Sequence, residues 1–382
     1  MHEKRGISIK KPVVLFSAST SSHILSFHLP YLREFQKLGW EVHVACGTPV
    51  AEIPYTDKVI WLPFEKKMSS PRNFLAGKIL HNKIKSCKYS LIITHTSLAA
   101  FFTRIAVKHL KNRPPLINMV HGYLFDNYTP AIRKQILTFA EILTKRQTDV
   151  LLTMNSWDYE FAKKKALSGT IRNIPGVGVD FCKLDNVSAF DKALFRKSYG
   201  LNQNDFVMIY AAEFSDRKNQ KMLIEAMTDL PSNVKLILPG KGESWYKCKA
   251  LAKRLGVANR IIMPGFVDNM PCWYEVSDVA VSASRSEGLP FNVMEALHFG
   301  LPVIASNVKG HSDLIKNGAN GFLYNYGDRH GFSSIVLNLM NNPNLMKKLS
   351  EAAPESVYQY NLSEVLPIVM EHYVSALKNR QL

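Results

Sequence analysis

The chain has 382 residues, of which 46% are hydrophobic and 21% charged, the balance of a soluble globular protein with length for two or three domains. Its formal net charge is +17 and unevenly placed: residues 1–180 carry 26 Lys and Arg against 12 Asp and Glu, and the rest carry 22 against 19. That asymmetry suggests that the first half faces an anionic surface or polymer, the other reading being a generally basic protein with no dedicated partner. No apolar run approaches the ~20 residues of a transmembrane helix, so no bilayer-spanning segment is expected.

The basic start, residues 1–11, is followed only by the apolar Val13 to Phe16, too short for a signal-peptide core. Lys11 to Ser19 reads as a strand running into small polar residues. A helical pattern through Leu25, Leu29, Leu32, Phe35 and Leu38 ends at Gly39, and Trp40 to Gly47 alternates as the next strand. This is the opening of a βαβ unit. Val59 to Phe64 reads as a strand, Pro71 to Lys88 as a basic helix, Ser90 to His95 as a buried strand and Leu98 to Leu110 as a helix. Leu116 to Gly122 is a strand ending in His-Gly. A helix over 131–148, a strand over 149–155 and a helix over 157–167 follow.

Ile171 to Asp180, with a proline and two glycines, breaks the pattern, and the domain boundary is expected in or just after it. Strands are then read at 206–212, 234–239, 260–263, 279–283, 302–306 and 322–324, with helices between them and a helical tail from about Asp328. The expected architecture is α/β: two doubly wound domains, 1–180 and 181–360, with residues 361–382 as a helix packing back on the first. In open α/β sheets ligands bind beyond the carboxyl ends of the strands, so the loops there are the candidate sites.

The stretch Ser284 to His298 (SRSEGLPFNVMEALH) is the most informative of these. Gly288 breaks the preceding strand, and Pro290 suits the first position of a helix. Glu287 lies in the loop and Glu295 on the helix, so a carboxylate flanks each side of a helix N-terminus suited to phosphate. A sugar nucleotide has that layout, with hydroxyl-bearing rings on either side of a diphosphate. From spacing alone the pair reads equally as a solvated loop glutamate and a surface helix glutamate.

Other strand ends give weaker signals. The segment Tyr210 to Gln220 sets Glu213, Arg217 and Lys218 in a strand-to-helix loop, where a cation neutralises a diphosphate or simply lies exposed. Leu238 to Glu243, containing Gly240, is a glycine-rich turn without the Gly-Lys-Ser/Thr of a P-loop. Pro264 to Asp268 offers Phe266 and Val267 to a flat base, or is a plain turn. His121 sits at a strand end where histidines serve structure as readily as ligands. No G-x-G-x-x-G follows the first strand of either domain, and no Asp-x-Asp, H-E-x-x-H or G-x-S-x-G occurs. Cys46, Cys87, Cys182, Cys248 and Cys272 are odd in number and without a C-x-x-C pair, as in reduced cytosolic proteins.

The block from Glu287 to Glu295 in EGLPFNVMEAL, with Gly300 to Ser306 and Asn317 to Leu323, resembles the retaining glycosyltransferases of family 4, which have the GT-B fold. In the first half THTSLAAFFTRIA (94–106), VHGYLF (120–125), TDVLLTMNSWDY (148–159) and IRNIPGVGVD (171–180) are similar to the branch that builds bacterial exopolysaccharide and capsule. The resemblance implies two domains facing a cleft and transfer of a hexosyl unit from a nucleotide sugar, expected to be UDP-linked, to a lipid-linked saccharide. It gives Glu287 to the donor sugar hydroxyls, Glu295 to the ribose, and the Gly288, Leu289, Pro290, Phe291 and Asn292 backbone to the diphosphate. Lys218 stabilises the departing phosphate, and Glu213, Arg217 and Gly240 count among the donor-binding residues. Phe266 and Val267 flank the base, and His121 faces the transferred sugar.

This chain has Glu213 where the family commonly has Arg, leaving Arg217 as the substitute. It has Ser17 to Ser22 where many relatives carry a glycine pair, so Ser19, Thr20, Ser21 and, at another strand end, His95 are the acceptor-side candidates. No cofactor or metal is expected, since Lys218 and the helix terminus take a metal's place. The expected setting is cytoplasmic, peripheral on the inner membrane face through the basic first half and helices 71–88 and 131–148. The alternatives are a GT-B sugar-nucleotide epimerase, which needs no acceptor, and a basic nucleic-acid-binding protein, disfavoured because no aromatics interleave on a basic strand pair.

Overall fold

A computed structural model describes residues 11–185 and 190–378, so residues 1–10 of the basic start and the last four residues lie outside the description. The described chain forms two compact units. The first runs to Met154, resumes over Asp158–Val177 and takes back the C-terminal segment from Leu366. The second holds Asn155–Trp157 and Gly178–Val365.

The first unit contains a parallel sheet of strands β1 (Val13–Ala18), β2 (Glu41–Cys46), β3 (Lys58–Trp61), β4 (Leu91–His95), β5 (Leu116–Val120), β6 (Val150–Thr153) and β7 (Thr170–Asn173), in the order 3-2-1-4-5-6-7. Every residue of β1, β4, β5 and β6 is buried. Helices cover both faces of such a sheet, so its strands read as continuous apolar runs and are easy to find. β7 was read as part of the boundary segment and is instead an edge strand. Half of it is exposed, and Arg172 and Asn173 point to solvent, so it carries no apolar run.

The helical pattern after β1 also divides. Ser21–Phe27 and Leu29–Lys37 are separate helices meeting at His28. Pro30 has no N–H and its ring would clash with the preceding turn, so the first helix stops and the second starts with proline in its first turn. The helix expected over 131–148 is α-helical over Ala131–Thr144 and ends in a 3₁₀ turn at Lys145–Gln147. The C-terminal helix Leu362–Lys378 returns Tyr373 to the first unit, where its ring packs among Phe16, Tyr31 and Phe35 and its hydroxyl lies 3.6 Å from Met119 Sδ.

The second unit contains β8 (Phe206–Ile209), β9 (Val234–Pro239), β10 (Ile261–Gly265), β11 (Val279–Ser282), β12 (Val303–Ser306) and β13 (Gly321–Tyr324), all parallel, in the order 10-9-8-11-12-13. Successive residues serve opposite faces: Met208, Leu236, Val281 and Ile304 pack into one core, and Val207, Ile237, Ala280 and Val303 into another. In each sheet the strand order reverses once, between β1 and β4 and between β8 and β11. The loops leaving those strands part to opposite sides and open a crevice at the carboxyl edge.

Candidate active site

At the switch point of the second sheet the loop after β8 meets the loop after β11. Glu287 is 8% exposed and sits between two cations, with Lys218 Nζ 2.6 Å from its Oε1 and Arg217 Nη1 3.2 Å from its Oε2. Burial alone would raise the Glu287 pKa. Lys218, Arg217 and the nearby His311 outweigh it and bring it down to about 2, so the carboxylate stays ionised. Backbone contacts lock the two loops together: Arg217 Nη1 donates to Ser286 O over 2.9 Å, and Arg285 N to Arg217 O over 2.9 Å.

Residues that the sequence reading did not single out hold this pair. Ser284 Oγ donates to Glu287 Oε1, and the buried Tyr210 hydroxyl lies 2.8 Å from Ser284 Oγ and 3.1 Å from the Lys218 carbonyl. His311 is fully buried behind Glu287. Its Nδ1 faces the Ser306 carbonyl at 2.8 Å and must donate, leaving Nε2 to accept from Ser282 Oγ at 3.0 Å. Burial is the largest influence on it and lowers its pKa, against the Glu287 carboxylate, which raises it. Gly310, at φ +82°, is forced by proximity: a Cβ there would stand 2.7 Å from Gly288 O and 2.9 Å from Glu287 Cβ. Asn155 Nδ2 donates to the same Gly288 carbonyl over 3.0 Å. The one available signal was polar residues at the ends of apolar strands, as in Ser282, Ser284 and Ser306.

The helix carrying Glu295 spans Phe291–His298, so Pro290 is its N-cap and not its first residue, with no side chain capping that end. Leu289 and Phe291 pack against the core beside it and Asn292 is half-buried in the first turn. Glu295, further along, is half-buried; burial raises its pKa, and Tyr274 Oη donates to its Oε2 over 2.9 Å. On the other side of the β8 loop a pocket of about 340 Å³ is lined by Glu213, Gly240, Phe266 and Val267 together with Ala212 and Met270. Phe266 is 68% exposed at its mouth. Gly240 is dictated by the close approach of the β8 loop: a Cβ there would lie 2.0 Å from Ala212 O. The Glu213 carboxylate makes no ion pair with a described residue, so Arg217, not position 213, joins Lys218 at Glu287.

The first sheet's switch point collects the acceptor-side candidates. Ser19 N donates to Thr96 Oγ1 over 3.1 Å, Thr20 caps the helix Ser21–Phe27, and Ser21 is buried with its hydroxyl given to the Thr48 carbonyl. His95 Nδ1 and His121 Nε2 lie 3.2 Å apart, and His23 and His28 close around them. Burial holds all four imidazoles below the usual histidine range, His23 at about 4.

Residues 31–165 match the family model for Glycosyltransferase Family 4, and residues 191–356 match that for Glycosyl transferases group 1. The chain is 29% identical over 365 residues to EpsD of Bacillus subtilis (strain 168), a protein named as a glycosyltransferase, covering 94% of this chain and 96% of that one. It is 26% identical over 309 residues, 79% of each chain, to the Escherichia coli UDP-Gal:alpha-D-GlcNAc-diphosphoundecaprenol alpha-1,3-galactosyltransferase. The fold is shared with the crystal structure of Anabaena HepE in complex with UDP, at TM-score 0.76 and 20% identity over 95% of this chain and 100% of that one. Both halves of the chain thus match glycosyltransferase family models, and its two doubly wound sheets have the GT-B fold.

Proposed function

We propose that this glycosyltransferase moves a hexosyl unit from a UDP-linked sugar to a hydroxyl of a lipid-linked saccharide, with retention of the anomeric configuration and without a metal at the diphosphate. The observation that carries the reading is the buried Glu287 carboxylate holding Lys218 and Arg217 beside an uncapped helix N-terminus at a switch point. An arriving diphosphate meets two cations and the helix dipole there, which together supply the charge a divalent ion would bring. Glu287, kept ionised, then accepts from the sugar hydroxyls. Glu295 keeps Oε1 for the ribose while Tyr274 holds Oε2. Exposed Phe266 offers its face to the base.

In the reaction the bond from the anomeric carbon to the β-phosphate oxygen breaks and the bond to the acceptor oxygen forms on the same face. The acceptor's proton passes to the departing phosphate, giving UDP and the new glycoside. Lys218 stabilises the charge that builds on the leaving oxygen. We assign His121 to the transferred sugar. UDP in HepE and the diphosphoundecaprenol in a relative's name support the nucleotide and the lipid-linked acceptor.

A membrane-bound acceptor suits the outer surface of the first unit. On the helix Ala131–Thr144 the exposed Ile132, Ile136, Phe139 and Leu143 recur at helical spacing, with Arg133 and Lys134 among them. Phe74 and Leu75 are likewise exposed on the basic helix Pro71–Ser86. Apolar side chains flanked by cations fit the interface of an anionic leaflet. No helix among the described residues is long and apolar enough to cross a membrane.

The test is transfer from a panel of UDP- and GDP-sugars to a lipid-linked acceptor. Lys218→Ala should lower the rate by about 10²–10³, the effect of losing one group that stabilises developing charge. Glu295→Ala should raise the KM for the nucleotide sugar with its fold intact by circular dichroism, and UDP affinity should be equal in EDTA and in Mg²⁺. Wild-type rates in both variants would sink the site assignment.

A further inference from the structure

The first sheet's switch point carries chemistry beyond the one role given to His121 in sugar transfer. His23 from the helix Ser21–Phe27, His28 from the break after it, His95 at the end of β4 and His121 just past β5 each offer one ring nitrogen, and these nitrogens all lie within 4.8 Å of one another. The 3.2 Å between His95 Nδ1 and His121 Nε2 is close to the ~3.3 Å that separates two nitrogens on one tetrahedral ion with bonds of about 2.0–2.1 Å. The His28 and His95 rings stack at 3.7 Å, and His23 meets His121 edge-on at 4.4 Å.

A second observation is independent of this spacing. His28 is fully buried, yet neither of its ring nitrogens has a hydrogen-bond partner, and His23 Nε2 and His95 Nε2 are buried in the same state. Native interiors rarely leave such atoms unmatched, and a cluster of them calls for an ion or an ordered water. The donor set narrows the choice. An all-imidazole site suits zinc, cobalt, nickel or copper, whereas magnesium and calcium require oxygen ligands.

We propose that His23, His28, His95 and His121 bind one divalent transition-metal ion of the zinc class at the switch point of the first sheet. Four protein ligands close the coordination sphere, so the ion is a brace and not a Lewis acid for the transfer. It ties the helix after β1 to the ends of β4 and β5. The break imposed by Pro30 is what puts His28 within reach of the other three. His23 and His121, less deeply buried than His28 and His95, lie on the solvent side of the cluster. Coordination through His121 Nε2 leaves its Nδ1 as an N–H that a sugar hydroxyl accepts from, so the ion also sets the tautomer of a residue assigned to the sugar.

The experiment uses the full chain, stripped with chelator, dialysed, and titrated with Zn²⁺ and Co²⁺. The expected result is one ion per chain, tetrahedral Co²⁺ bands in the visible spectrum, a higher melting temperature with Zn²⁺, and no binding of Mg²⁺ or Ca²⁺. His28→Asn and His23→Gln should each weaken Zn²⁺ by more than the roughly 10–100-fold that loss of an outer-sphere partner costs. His330→Gln, at an exposed histidine of the second unit, should leave affinity unchanged. Absence of saturable Zn²⁺ and Co²⁺ binding by the wild type would overturn the proposal and leave ordered water as the occupant. Equal affinity in wild type and His23→Gln overturns it as well, whether or not His28→Asn folds.

Discussion

Glu287 illustrates how burial and charge compete at one residue. Taken alone its burial favours the protonated acid, yet Lys218 and Arg217 hold it at about 2, against 4.5 for an ordinary glutamate. A carboxylate depressed on folding gives stability that is complete above the unfolded pKa and lost as pH falls through the folded one. Stability from this group is therefore expected to be full above about 4.5 and to drain away toward about 2. Urea unfolding between pH 6 and pH 3 should show that slope in the wild type and a flatter one in Glu287→Gln. At pH 7 Glu287→Gln should be less stable by about 3–5 kcal/mol, because Lys218 is left largely buried without its counter-charge. An unchanged acid slope would show that the pair contributes nothing. The sequence named Glu287, Lys218 and Arg217 but was silent on Tyr210, Ser284 and His311, since a tyrosine or serine in an apolar strand looks like ordinary core until its partner across the sheet is known.

At the scale of elements, the site depends on two glycines that let loops approach. Gly240→Ala would set a methyl 2.0 Å from Ala212 O, pushing away the loop that lines the pocket beside Phe266, which is proposed to take the base. UDP affinity by calorimetry should fall by tenfold or more, a loss of about 1.4 kcal/mol. Gly310→Ala would press on Gly288 O and Glu287 Cβ, so kcat should drop along with about 1–3 kcal/mol of stability from a backbone held at φ +82°. Normal turnover in Gly310→Ala would mean that Glu287 tolerates the shift. Most strands were legible because both faces of a parallel sheet are covered, which writes continuous apolar runs into the chain. β7 escaped notice because an edge strand needs no such run, and the helix break at His28 because the apolar repeat passes through Pro30 without a change of phase.

Across the whole molecule the charge asymmetry acquires a location. The basic first half presents Ile136 and Phe139 outward, each 64% exposed, on a helix that also carries Arg133 and Lys134. Sedimentation with vesicles should show binding to anionic lipid, little to zwitterionic lipid, and release between 0.1 and 0.5 M salt, where the screening length falls below ~10 Å. Phe139→Asp with Ile136→Asp should abolish vesicle binding while leaving UDP affinity intact. Retention of binding in that double variant would place the membrane contact elsewhere. Arg104 in the neighbouring helix is different: it is buried against Glu141 at 2.8 Å and belongs to the packing between helices.

The amino-acid sequence by itself determined the two doubly wound sheets, the family resemblance, and the cations and carboxylates of the loops after β8 and β11, because burial periodicity and loop chemistry are local and survive in one dimension. Glu287 lies in the loop before the helix Phe291–His298 and Glu295 lies on that helix. Only the tertiary structure decided which of these groups meet. It joined Arg217 to Lys218 at Glu287, left Glu213 in a separate pocket, and set His311 behind them. It also drew four histidines spread from position 23 to position 121 into one cluster. Such meetings depend on strand order and on where loops leave the sheet, and neither leaves a mark on any single stretch of chain.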